Sequence, residues 1–215
     1  MLWLDTQEKE KQELNVKIGI ANLDDSQGIY NALKQNLIEI NDFDSIPQDQ
    51  RIYLETHGFL RKEVEIDFYV NLISDPNNQI YVAKIHNTEI IGFASIYKNQ
   101  YNIKDFRTTL ENVYINEKKV EDLLLLEKQK FIYLDQISIL PEFQRKGVGT
   151  ALLNKILENV REPIVAFIVE LPLTNKASIY WHEANGFKLE ASCDGKYKSK
   201  KFQWGIYINW NNLSS

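Results

Sequence analysis

The chain has 215 residues, 44% hydrophobic and 26% charged, which is ordinary globular usage and excludes a disordered chain. Its formal net charge of −5 predicts no nucleic-acid partner, because phosphate backbones call for a basic face. The single cysteine, Cys193, excludes an intrachain disulfide and predicts a reducing, cytoplasmic setting.

Residues 1–15 are mostly polar and read as a loose helix or tail. Charged residues follow Met1–Leu4 at once, so no secretory leader is expected. Apolar alternation over Val16–Leu23 predicts a strand. Asp24, Asp25 and Ser26 then form an N-cap cluster. The helical spacing of Ile29, Leu33, Leu37 and Ile40 predicts a first helix. Asn41–Gln50, rich in Asp, Ser and Pro, reads as a loop. Val64, Phe68 and Leu72 mark a second helix, stopped by Asp75–Asn78. Gln79–Ile85 and Glu89–Tyr97 form a predicted hairpin around His86–Thr88.

Residues 98–130 are a long polar connection with a predicted helix over Glu117–Lys128. Phe131–Leu140 is rich in β-branched and aromatic residues and reads as a strand. Gly147–Val160 carries a helical apolar face. Pro163–Leu171 is nearly all apolar, as a central strand covered on both faces would be. A helix over Asn175–Asn185 stops at Gly186. Phe187–Ala191 and Lys201–Trp210 read as strands around an Asp194–Gly195 turn. No apolar run approaches the ~20 residues of a membrane-spanning helix, so no membrane partner is expected. The pattern predicts an α/β fold, a central mixed sheet flanked by helices and parallel around strands 131–140 and 163–171. Residues 16–215 read as one domain with an insertion at 98–130.

The chemistry-bearing stretch runs from Leu134 to Thr150. A strand ends, a loop with two glycines follows, and a helix begins. A helix N-terminus carries about +0.5 charge and free N–H groups, so the expected guest is an anion, phosphate above all. Arg145 and Lys146 add positive charge there. Three phosphate-binding patterns compete. The P-loop spacing is absent. A dinucleotide fingerprint lacks its third glycine, since Gly147-Val-Gly149 is followed by Thr150, Ala151 and Leu152. The third pattern, Q-x-x-G-x-G, cradles the pyrophosphate of coenzyme A.

Gln144-Arg-Lys-Gly147-Val-Gly149 resembles the pyrophosphate loop of the GNAT superfamily, the acyl-CoA-dependent N-acyltransferases. The strand Leu134-x-x-Ile137-x-Ile139-x-Pro141 is similar to the family's preceding strand. Asn175-Lys-Ala-Ser178-Ile-Tyr-Trp-His182-Glu-Ala-Asn-Gly186-Phe187 resembles its downstream helix. Two departures stand out: His182 replaces the usual helix tyrosine, with Tyr180 two residues earlier, and the 98–130 connection is long.

The resemblance implies transfer of acetyl from acetyl-CoA to a primary amine, small-molecule or peptide, with no metal. It implies that strands 131–140 and 163–171 splay apart. The backbone of Ile137, Ser138 and Ile139 would then meet the pantetheine arm. Gln144, Arg145, Lys146, Gly147, Val148, Gly149 and Thr150 would hold the pyrophosphate. Asn175 and Ser178 would contact the pantetheine or adenosine side.

The reaction needs a base for an ammonium of ordinary pKa near 10.4. Asp135 is the first candidate, ahead of Tyr133 and Glu170. His182 or Tyr180 would protonate the leaving thiolate. Two competing readings stand beside this one: a non-catalytic acyl-CoA sensor on the same fold, and a nucleotide-dependent oxidoreductase. His57–Leu60 is a candidate acceptor-site segment. Cys193, remote from any helix start or base in sequence, reads as a plain thiol. Lys201–Trp210, with Trp204, Tyr207 and Trp210, is a candidate homodimer edge.

Overall fold

The computed structural model describes residues 15–38, 45–60, 64–98, 113–115, 131–197 and 200–210. Most of the 1–15 tail, Ile40 and the 117–128 helix expectation lie outside those residues. The strands are β1 Lys17–Ile20, β2 Asn78–Ile85, β3 Glu89–Tyr97, β4 Val113–Ile115, β5 Ile132–Ile139, β6 Ile164–Leu171, β7 Lys188–Tyr197 and β8 Lys200–Asn209. The helices are α1 Ser26–Asn36, α2 Gln48–His57, α3 Ile66–Ser74, α4 Val148–Asn159 and α5 Lys176–Ala184. One sheet runs in the order β1-β2-β3-β5-β6-β8-β7-β4. Its pairings are antiparallel except β5–β6, which α4 bridges as a parallel crossover.

Local chemistry explains the elements. His86 and Asn87 both take positive φ (51° and 65°), the backbone of a tight β2–β3 turn. The N-cap residue of α1 is Asp25, within the expected cluster though without a side-chain cap bond, and the short 3-10 turn Leu23–Asp25 that leads into it is capped by Asn22. Asn22 Oδ1 accepts from the Asp24 N–H at 2.9 Å, and Asp25 Oδ2 accepts back from the Asn22 N–H at 3.0 Å. Asp25 is then free to pair with Lys84 of β2 at 2.6 Å. The main core packs Ile29 and Leu33 of α1, Tyr69 and Leu72 of α3 and Leu152 and Ile156 of α4 against the sheet.

Four expectations are corrected. The first helix stops at Asn36, because Leu37 turns extended and bridges Leu60 in parallel. Helix α2 occupies part of the expected 41–50 loop and continues to His57; it buries only Leu54, so no apolar stripe announces it. Asp194–Gly195 is no turn: both residues sit in the β7–β8 ladder, opposite Gln203 and Phe202. A Cβ on Gly195 would lie 2.6 Å from Trp204 Cζ3, so the glycine serves strand packing. Finally, β8 lies between β6 and β7, so Lys201–Trp210 has no open edge for a partner; the sheet's outer strands are β1 and β4.

Candidate active site

The site begins with a fault in the β3–β5 ladder. Ser95 faces Gln136, but Ile96 faces Leu134, which leaves Asp135 as the extra residue of a bulge. On the other edge of β5, pairing with β6 covers only Ile132–Leu134 against Ile164–Ala166. Beyond that seam, β6 keeps its ladder to β8 as far as Leu171 while β5 keeps its ladder to β3. The two strands therefore diverge from Asp135 onward.

Ladder alternation decides which backbone groups face the gap. Leu140 N–H donates to Ile91 O at 2.9 Å, which makes Phe93/Ser138 the next hydrogen-bonded pair. The N–H and C=O of Ile137 and Ile139 then point away from β3, toward the gap. Ile139 O is already taken: Asn36 Nδ2 donates to it at 2.9 Å and Gln144 Nε2 at 3.2 Å. Asn36 also donates to Ser138 Oγ at 2.8 Å, and that hydroxyl donates to Ala32 O. Ser138 and Gln144 thus brace the strand end through their side chains.

Past a short turn at Pro141–Phe143, Arg145 and Gly147 take positive φ of 59° and 82°. Gly147 is the N-cap of α4, and Ala151 is the first helix residue whose N–H finds a carbonyl, Gly147 O at 2.9 Å. No described carbonyl accepts from the amides of Arg145–Thr150. Gly149 is needed for a different reason. A Cβ there would stand 3.0 Å from the Trp181 indole nitrogen, so α5 packs onto the head of α4 only because that side chain is absent. Arg145 donates to Thr56 O at 3.4 Å, and Lys176 pairs with Glu55, tying both loops to α2.

A cleft of about 1120 Å³ joins these parts. It exceeds the roughly 300–1,000 Å³ of a pocket for one small ligand. The site residues selected from sequence line it except Glu170 and Lys146, whose ammonium lies 5.5 Å from the Phe143 ring centroid. His57–Leu60 also lines it.

Asn175 caps α5. Its Oδ1 accepts from the Ser178 N–H at 3.3 Å and its Nδ2 donates to Phe59 O at 2.9 Å, which commits the amide internally. Tyr180 is 67% exposed at the rim. His182 is 3% exposed, edge-on to Trp181 and Phe187. Its Nδ1 faces Ser178 O at 2.7 Å, a contact that requires a ring N–H donor. The neutral ring then carries a lone pair on Nε2, which is buried without a partner among the described residues. Burial drives the imidazole down to about 4, against the pull of the Ser178 carbonyl.

At the opposite end, Tyr97 Oη donates to Asp135 Oδ2 at 3.5 Å. Burial first, then the Asp135 charge, pushes the Tyr97 and Tyr133 phenols well above their ordinary range. Glu170 does not line the cleft; burial raises its carboxyl. Asn36, Trp181 and helix α2 were not selected from sequence. Asn36 lies 103 positions from the carbonyl it holds, and no local pattern exposes such a contact.

Residues 40–187 match the family model described as Acetyltransferase (GNAT) family. The chain belongs to the GNAT acetyltransferase family. It is an N-acetyltransferase, and the acetyltransferase shares its fold with solved structures of low identity. It is similar to the ribosomal-protein-S18-alanine N-acetyltransferase from Escherichia coli (TM-score 0.57, 12% identity, 93% of this chain and 96% of that one). It is also similar to an N-acetyltransferase from Staphylococcus aureus Mu50 (0.52, 16%, 90% and 97%). A third is Arabidopsis thaliana NAA60 in complex with acetyl-CoA (0.53, 13%, 90% and 98%). No curated protein matches the acetyltransferase sequence significantly. Acetyl-CoA as co-substrate and an amine as acceptor are typical of the family. No helix among the described residues is long and apolar enough to cross a membrane.

Proposed function

We propose that the acetyltransferase binds acetyl-CoA along the β5–β6 gap and passes its acetyl group directly to a primary amine. The observation that carries this is the set of amides at Arg145–Thr150, with no described carbonyl on them, at the head of a twelve-residue helix. They suit a pyrophosphate, and Arg145 adds charge. Ile137 offers both backbone groups and Ile139 its N–H to an extended amide-bearing arm. Acetyl-CoA supplies a thioester carbonyl with a thiolate leaving group.

Asp135, at the bulge, takes a proton from the incoming ammonium. The neutral nitrogen then forms the C–N bond as the C–S bond breaks. At neutral pH an ammonium is only about one part in a thousand deprotonated, so a positioned carboxylate matters. The Ile137 N–H faces the oxygen on which charge develops. The thiolate takes its proton from Tyr180, a phenol at the cleft rim that regains one from the second proton shed by the acylated nitrogen, because neutral His182 presents a buried lone pair there and no proton. His182 orders the Ser178–Trp181 turn of α5 instead. Residues 16–215 act as one unit, with the 98–130 insertion contributing β4 to the sheet edge. A cytosolic setting is supported by the chain's having one cysteine, Cys193.

Titration calorimetry with acetyl-CoA and the Gly147→Ala variant tests the grip. A Cβ at Gly147 meets nothing within 4 Å, so the variant strains only the positive φ, at a cost of about 1–2 kcal/mol. We expect wild-type binding and roughly tenfold weaker binding in the variant. Absence of binding to wild type at millimolar acetyl-CoA refutes the proposal.

A further inference from the structure

The cleft's far end narrows the acceptor, an inference that rests on the acetyltransferase reading above. Asp135 stands among tyrosines. Tyr97 donates to it at 3.5 Å, and the Asp135 charge, after burial, raises the Tyr133 phenol. The Tyr97 and Tyr133 rings stack with centroids 6.0 Å apart, and Tyr133 meets Phe167 edge-on at 5.8 Å. Trp204, opposite Val169 in the β6–β8 ladder, extends the same wall toward Phe59 and α2. Both phenols stay protonated at neutral pH, so they add π faces and dipoles but no charge. Among the described lining residues the acids are Glu55 and Asp135, and Glu55 is held by Lys176. A carboxylate at the foot of an aromatic wall suits an ammonium with an apolar body behind it.

We propose that the acceptor is a monoamine carried on a short apolar or aromatic body. The ammonium docks at Asp135 beside the Tyr97–Tyr133 pair, and the body lies against Phe167 and Trp204. The attacking nitrogen leaves one proton on Asp135, forms the amide C–N bond and releases the thiol.

The test uses the full chain with acetyl-CoA and thiol release as readout. The probes are 2-phenylethylamine and 1,4-diaminobutane. We expect kcat/KM for the aromatic monoamine to be at least about tenfold higher. Phe167→Ala and Trp204→Ala should erode that preference through KM, with kcat and acetyl-CoA affinity little changed. In case those variants fold poorly, wild type alone gives a second readout. Phenyltrimethylammonium, which cannot be acetylated, should compete with the amine about tenfold better than its neutral isostere tert-butylbenzene. Equal rates for the two amines, a preference for the diamine, or equal competition by the two isosteres overturns the proposal. Acetyl-CoA binding with neither amine acetylated overturns it too and leaves the cofactor reading intact. Failure of acetyl-CoA itself to bind removes that parent reading instead, and this proposal with it.

Discussion

Acidifying the protein should expose the cost of burying His182. The ring is 3% exposed, donates from Nδ1 to Ser178 O and is held near 4 by burial. At pH 7 the ring is neutral in both folded and unfolded chains. As pH falls below about 6.5 the unfolded chain takes a proton that the folded chain refuses, so the unfolded side gains. The contribution is intact above about 6.5 and is lost progressively toward pH 4. The drop from 6.5 to about 4 corresponds to about 3 kcal/mol. For a chain of this size that is roughly 6–12 °C in Tm. His182→Phe fills the same aromatic niche between Trp181 and Phe187 and has nothing to titrate. Thermal unfolding from pH 7 to pH 4 should therefore fall more steeply for wild type than for the variant, by roughly that amount. Other carboxylates and the remaining histidines are common to both curves. Parallel curves would show that His182 is not buried and neutral as described.

Three further outcomes are expected. Asp135→Asn should lower kcat/KM for the amine by roughly 10²–10⁴ while the calorimetric Kd for acetyl-CoA stays within about twofold; a parallel loss of cofactor affinity would assign Asp135 to structure. Asn36→Ala removes donors to Ser138 Oγ and Ile139 O, and should cost about 1–3 kcal/mol in urea unfolding and weaken acetyl-CoA binding. Unchanged urea midpoints would show the brace to be idle. Cys193 is fully buried, and burial, then the charges of Asp194 and Glu170, pushes its thiol up to about 12. It should resist a disulfide reagent in native buffer and react in urea; rapid native labelling would contradict its placement.

The strand–loop–helix unit around Gln144–Thr150 was legible because its signal is local: a β-branched strand, glycines three and five positions after Gln144, then a helical stripe. Splaying of β5 from β6 followed from resemblance, whereas the bulge at Asp135 depends on register between two strands and has no signature in either alone. Helix α2 was missed because its outward face carries Ile52 and Tyr53, exposed, and only Leu54 faces in. The titration of His182 was misjudged from its ordinary pKa. Of the rings that dry it, Phe187 follows directly after α5 but Tyr207 comes from β8, and their joint enclosure of the ring is a tertiary fact.

The seam between β5 and β6 is three residue pairs long, yet it lies mid-sheet, where a β-sheet is ordinarily most continuous. Below it the polypeptide leaves its own rungs out. In the proposed binding mode a substrate arm lying there completes the ladder from outside, turning two half-sheets into one. Occupancy should therefore register as slowed amide exchange on both flanks at once, in Ala94–Ile96 as well as in Trp204–Ile206, far beyond the atoms that touch the guest.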